Sequence, residues 1–158
     1  MIITKKLKAR PKTWLSRDYL VHEGTQQVAL LSASVFRRNA KALIGETEYE
    51  LDREAAFSGK FFIKLDDSLF ATADPKSLFR HSYIVTCGDT QYTFRLTSFL
   101  RGSFGLFEKD KEIGSIARES FFSKTTILKF PTNFALPSAV FLYWLVLLSR
   151  RRRSRMRH

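Results

Sequence analysis

At 158 residues, with 44 % hydrophobic and 27 % charged side chains, the chain has the size and composition of a single globular domain. That excludes a disordered or collagen-like polymer, and a chain this long can bury a core without metal or disulfide staples. Its one cysteine, Cys87, excludes an intrachain disulfide, and the net charge is +12.

In chain order, the first twelve residues read as a basic segment. Met1-Ile2-Ile3 passes directly into Thr4-Lys5-Lys6 with no apolar run behind the lysines, so no signal peptide is expected. From residue 13 to residue 130 short runs of β-formers alternate with turn signals. Strands are predicted over 13–21, 27–34, 41–44, 47–51, 60–65, 69–73, 79–87, 91–97, 103–108, 112–118 and 125–130. Spacings near ten residues with tight turns describe an antiparallel meander.

A faint repeat offset by 43 residues sets Gly45-Glu46-Thr47-Glu48-Tyr49-Glu50-Leu51 against Gly88-Asp89-Thr90-Gln91-Tyr92-Thr93-Phe94. Gly59, Phe61 and Asp67 match Gly102, Phe104 and Asp110 at the same offset. A turn glycine opens each alternating strand, with an inward tyrosine following. Two copies cannot close a propeller, so two similar halves of one barrel are expected.

Residues 131–149 carry no charge, but their continuous apolar run is only Ala139 to Leu148. As a helix that run covers about 15 Å, half of a roughly 30 Å hydrocarbon core. A helix apolar on all sides must be buried, and the predicted place is inside the barrel, at about 136–149. Trp144 and Tyr143 are then buried, the tyrosine hydroxyl with an internal partner.

The charge is unevenly placed. Residues 1–18 carry +5, the tail at 150–158 carries +6, and everything between them carries +1. Two basic ends on a neutral body suggest an anionic partner.

The segments Tyr92-Thr93-Phe94-Arg95-Leu96, Phe107-Glu108-Lys109-Asp110-Lys111-Glu112-Ile113-Gly114-Ser115-Ile116 and Leu136-Pro137-Ser138-Ala139-Val140-Phe141-Leu142-Tyr143-Trp144-Leu145 resemble the tubby C-terminal-like superfamily. That group includes LURP-one-related proteins and phospholipid scramblases. The resemblance spans about residues 13 to 150. It implies a closed antiparallel β-barrel of about twelve strands, in two six-stranded halves around a hydrophobic C-terminal helix. The acidic calcium loop of scramblases has no counterpart here, and no motif carries tubby's phosphoinositide site onto particular residues.

The chain carries no recognisable catalytic motif. His22, His81 and His158 stand at no metal-ligand spacing, and the sequence has neither a Gly-x-Ser-x-Gly elbow nor a phosphate-binding glycine loop. Cys87 reads as a half-buried structural thiol. The pairs Phe61-Phe62 and Phe121-Phe122 could stack on nucleic-acid bases, but filling the barrel explains both better. Arg37-Arg38 with Lys41 forms a small basic patch, which a solvated strand end explains equally well.

The expectation is a non-enzymatic barrel without cofactor, cytoplasmic and peripheral at a membrane. It would contact phosphoinositide-like anionic headgroups through Lys5, Lys6, Lys8, Lys12, Arg150, Arg151, Arg152, Arg153, Arg155 and Arg157. The alternatives are a nucleic-acid-binding protein using the same charges, a tail-anchored protein, and a barrel with a protein partner whose charges serve solubility.

Overall fold

The computed structural model describes residues 3–33, 39–54, 59–77 and 81–156. Among them are twelve strands and one helix: β1 (Thr4–Pro11), β2 (Asp18–Glu23), β3 (Gln26–Ala33), β4 (Ala40–Ile44), β5 (Thr47–Arg53), β6 (Phe61–Leu65), β7 (Ser68–Ser77), β8 (Ser82–Cys87), β9 (Thr90–Ser98), β10 (Ser103–Glu108), β11 (Lys111–Arg118), β12 (Thr126–Pro131) and α1 (Leu136–Met156). Each strand pairs antiparallel with its neighbours in sequence, and β1 pairs β12 to close the barrel. The twelve-stranded barrel enclosing a C-terminal helix is therefore present as expected.

Its boundaries differ from expectation. The barrel begins at Thr4, not at residue 13: the segment read as a basic arm is β1, which bonds β12 on one side and β2 on the other. Leu7 and Ala9 point inward and are buried while Lys6, Lys8 and Arg10 face out, a period-two strand with charges on the wet face. Conversely, residues 13–17, predicted as strand, form the connection between β1 and β2. The helix runs past residue 149 to Met156, because arginine is a good helix former and nothing breaks the run. The Arg37-Arg38 patch lies outside the described residues.

The interior is filled from both sides. The helix contributes Ala139 to Leu147, all buried, and the wall contributes Leu31, Leu51, Phe61, Ile63, Phe94, Phe104, Leu106, Ile116 and Leu128. Trp144 meets Phe61 edge-on at 5.8 Å between ring centroids and stacks with Phe141 at 6.2 Å. The helix is not centred. It approaches β3, β4, β6, β7 and β12, and the inward positions of β3, β4 and β7 include Ala29, Ala40, Ala42, Ala71 and Ala73. Small side chains there admit the helix close to the sheet, and the larger Tyr83, Phe94 and Phe104 fill the space on β8 to β10.

The 43-residue offset has a structural meaning. It carries β4–β7 onto β8–β11, four strands and so a third of the wall. Gly45 and Gly88 occupy matching turns with φ of 63° and 60°, a backbone conformation that glycine adopts without strain. The period reaches a third position through bulges. Val28 on β3, Phe70 on β7 and Ile113 on β11 are each an extra residue without a cross-strand partner, at spacings of 42 and 43. Each bulge turns one more apolar side chain toward the same end of the barrel and helps to plug it.

Candidate functional site

The two mouths of the barrel differ in chemistry. At one end lie the tight turns β2–β3, β4–β5, β6–β7, β8–β9 and β10–β11, together with the N-terminus of α1. Their turn residues include Glu46, Asp66, Asp67, Asp89 and Asp110 against a single cation, Lys109. A cavity of about 410 Å³ opens here, lined among others by Phe70, Cys87, Tyr92, Glu108, Phe134 and Ser138. The Cys87 thiol donates to Ser138 Oγ at 3.6 Å, and burial pushes its pKa up, against a smaller lowering by that bond. The thiol is held protonated, the opposite of what a nucleophile needs. Among the described residues no group of three His, Cys, Asp or Glu is placed to hold a metal ion.

At the other end are the β1–β2, β9–β10 and β11–β12 connections, neighbours around the rim, and the C-terminal end of α1. On these three connections Lys12, Arg17, Arg101, Arg118 and Lys124 stand exposed against Asp18 and Glu119. Where α1 leaves the barrel, Ser149 is buried with its Oγ 3.2 Å from His81 Nδ1. The next residue, Arg150, turns inward and donates from Nη1 to Thr126 Oγ1 at 3.0 Å. Thr126 also stands near the Tyr143 hydroxyl and acts on it, so the internal neighbour expected of that tyrosine is a threonine of β12. Burial raises the Tyr143 phenol far above its usual range.

The expected contact residues are therefore dispersed. Lys5 belongs to the acidic mouth, 3.5 Å from Glu23, and Lys6 lies on the outer wall. Lys8, also on the wall, pairs Glu119 at 3.1 Å. Lys12 does reach the cationic mouth with the end of α1. Arg150 is engaged in holding the helix against β12, and Arg151 is half-buried. Arg152, Arg153 and Arg155 continue the helix beyond the barrel, and Arg157 lies outside the described residues.

One expectation is overturned here. Phe121 and Phe122, read as core filling, are 68 % and 92 % exposed. They fall in a loop that Glu119 N–H closes by donating to Thr125 C=O at 2.9 Å, beyond the alternating strand that would have turned one of them inward. Phe61, by contrast, is in the core. Trp14, Leu15, Phe99 and Leu100 are likewise exposed on the other two connections of this mouth. In the sequence Trp14 and Leu15 fall in a predicted strand and Phe121 and Phe122 read as core filling, while Phe99 and Leu100, between two predicted strands, carry no signal of their own.

The wall and the helix bear on the membrane-spanning alternatives. Among the described residues no helix is long and apolar enough to cross a membrane, and the apolar part of α1 is spent inside the barrel. Lys41–Glu48 and Lys64–Glu50 ion pairs on the outer wall, at 3.3 and 3.5 Å, are not the surface of a lipid-facing barrel. Comparisons with protein-family models, with curated proteins and with solved structures give no match.

Proposed function

We propose that this chain is a non-enzymatic barrel that attaches peripherally to an anionic membrane surface through one mouth. The observation that carries this reading is charge polarity: α1 delivers its arginines at the mouth bearing Lys12, Arg17, Arg101, Arg118 and Lys124, while the opposite turns are acidic. Such a molecule orients in the field of a negative surface before contact, and each cation near that surface contributes about 1 kcal/mol. The cytoplasmic leaflet, where anionic lipids create a negative surface potential, is the matching location. The tubby-like resemblance supports the same reading, since its implied barrel around a C-terminal helix agrees with this architecture and the superfamily is lipid-associated.

The test is co-sedimentation with neutral vesicles and with vesicles containing phosphatidylserine, using the full chain and a variant with Arg152, Arg153, Arg155 and Arg157 replaced by Gln. Binding is expected only to the anionic vesicles, falling as salt rises, and weaker in the variant by about tenfold or more. Equal binding to neutral vesicles, or a variant that binds at full strength, contradicts the reading.

A further inference from the structure

The exposed apolar residues at the cationic mouth sit on three connections, two of them built by the same set of bonds. In the β1–β2 connection Ser16 N–H donates to Thr13 C=O at 3.0 Å, which puts Trp14 and Leu15 at the centre of a turn. In the β11–β12 connection Ser123 N–H donates to Ser120 C=O at 3.1 Å, with Phe121 and Phe122 at the centre. The bracing bonds also correspond. Ser16 Oγ accepts from Asp18 N–H at 2.9 Å as Ser123 Oγ accepts from Thr125 N–H at 3.0 Å. Lys12 N–H donates to Asp18 C=O as Glu119 N–H donates to Thr125 C=O. The β9–β10 connection places Phe99 and Leu100 between Ser98, whose Oγ accepts from Arg101 N–H at 3.3 Å, and Arg101. Turn centres ordinarily take Gly, Asn, Asp or Pro; here all three hold apolar pairs.

The pattern is periodic in the sequence itself. Thr13-Trp14-Leu15, Ser34-Val35-Phe36, Ala55-Ala56-Phe57, Ser77-Leu78-Phe79, Ser98-Phe99-Leu100 and Ser120-Phe121-Phe122 follow one another every 21 or 22 residues. The first, fifth and sixth of these lie in the three connections above. Of the large hydrophobic side chains left exposed among the described residues, six are on these tips, with Ile3, Leu43 and Leu69 scattered elsewhere. The tips are contiguous. Lys124 Nζ lies 5.9 Å from the centre of the Trp14 ring, and a cleft between the other two tips is lined by Leu100, Arg101, Arg118 and Phe121.

We infer that these tips insert as a set into the interface of an anionic bilayer, with Lys12, Arg101, Arg118 and Lys124 at headgroup level beside them. Apolar side chains on separate stems, each flanked by cations, suit a soft surface that closes around every tip, and aromatic rings favour the interface. A flat apolar patch would suit a protein partner better. The inference rests on the proposed membrane reading and adds a depth and an orientation to it: barrel axis upright, cationic mouth down, acidic turns in water.

Trp14 and Trp144 are the protein's two tryptophans, one on a tip and one in the core. Emission is recorded as the full chain meets vesicles of phosphatidylcholine with phosphatidylserine, with and without bromine on the acyl chains. A Trp14→Phe variant isolates the Trp144 background. A blue shift and bromine quenching of Trp14 are expected, with affinity falling about tenfold or more in Phe121→Ser/Phe122→Ser, whose exposed sites leave the core untouched. Vesicle binding with Trp14 unshifted, unquenched, and the Ser variant at full strength overturns the insertion while leaving surface attachment standing. No binding to anionic vesicles overturns both. A Trp14 response to single-stranded nucleic acid but not to vesicles assigns the tips to base stacking and overturns the inference.

Discussion

Trp144 is 1 % exposed and wedged between Phe61 of the wall and Phe141 of its own helix. Replacing it with alanine leaves a large cavity in a close-packed interior, so Trp144→Ala is expected to cost about 3–5 kcal/mol in denaturant unfolding. Its burial was legible because ten consecutive apolar residues leave a helix no wet face. The partner of its neighbour was not. Tyr143 meets Thr126, and that meeting depends on where β12 lies against the helix, which no local pattern encodes. Burial keeps the Tyr143 phenol neutral in the fold, whereas in the unfolded chain it ionises near about pH 10. With its folded pKa raised, its contribution is complete below that pH and is lost as pH rises above it. Stability followed by urea unfolding through this alkaline range should therefore fall less steeply in Tyr143→Phe than in the native chain. Parallel curves would show that Tyr143 does not carry the effect. Phe121 and Phe122 illustrate the opposite failure of legibility: the identical dipeptide sends its first ring, Phe61, into the core inside a strand and projects both rings from a turn outside one, and a non-local closure between Glu119 and Thr125 decides which.

Among the elements, β1 was the one obscured by its charge. Lys6, Lys8 and Arg10 dominate its composition, yet Leu7 and Ala9 alternate with them in strand register. The alternation was present in the sequence; the charges drew the reading toward a tail. Helix α1 was found, but its lean follows from alanines on the paired strands β3 and β4 and on the more distant β7, which share one arc only in the folded barrel. That lean is testable. Ala42 is fully buried on the near arc, so Ala42→Leu should force helix and sheet apart and destabilise by about 1–3 kcal/mol. Leu43→Ala, one residue along and facing out, should change stability by no more than about 0.5 kcal/mol. Equal effects on thermal unfolding would contradict the off-centre packing.

Across the whole molecule, the closed twelve-stranded barrel was legible because turn signals recur with regular spacing and a wholly apolar helix needs an enclosure. The 43-residue repeat was visible too, although its unit became apparent only when Val28, Phe70 and Ile113 proved to be equivalent bulges. Charge polarity was half legible. The sequence showed basic ends, but antiparallel alternation alone sends Lys5 to one mouth and Lys12 to the other. A hairpin meander also sorts its connections into two sets by parity, so the acids of the β4–β5, β6–β7, β8–β9 and β10–β11 turns and the cations with apolar pairs of the β1–β2, β9–β10 and β11–β12 connections come to opposite ends of one object. The most direct measurement compares charge reversal at the two mouths in the same anionic-vesicle binding assay: Arg101→Glu/Lys124→Glu against Glu46→Lys/Asp89→Lys. The account predicts a loss on the order of a thousandfold from the first pair, from four charge units at about 1 kcal/mol each at the surface, and no loss from the second. Equal responses, or a greater loss from changing the acidic turns, would contradict a membrane-facing cationic mouth.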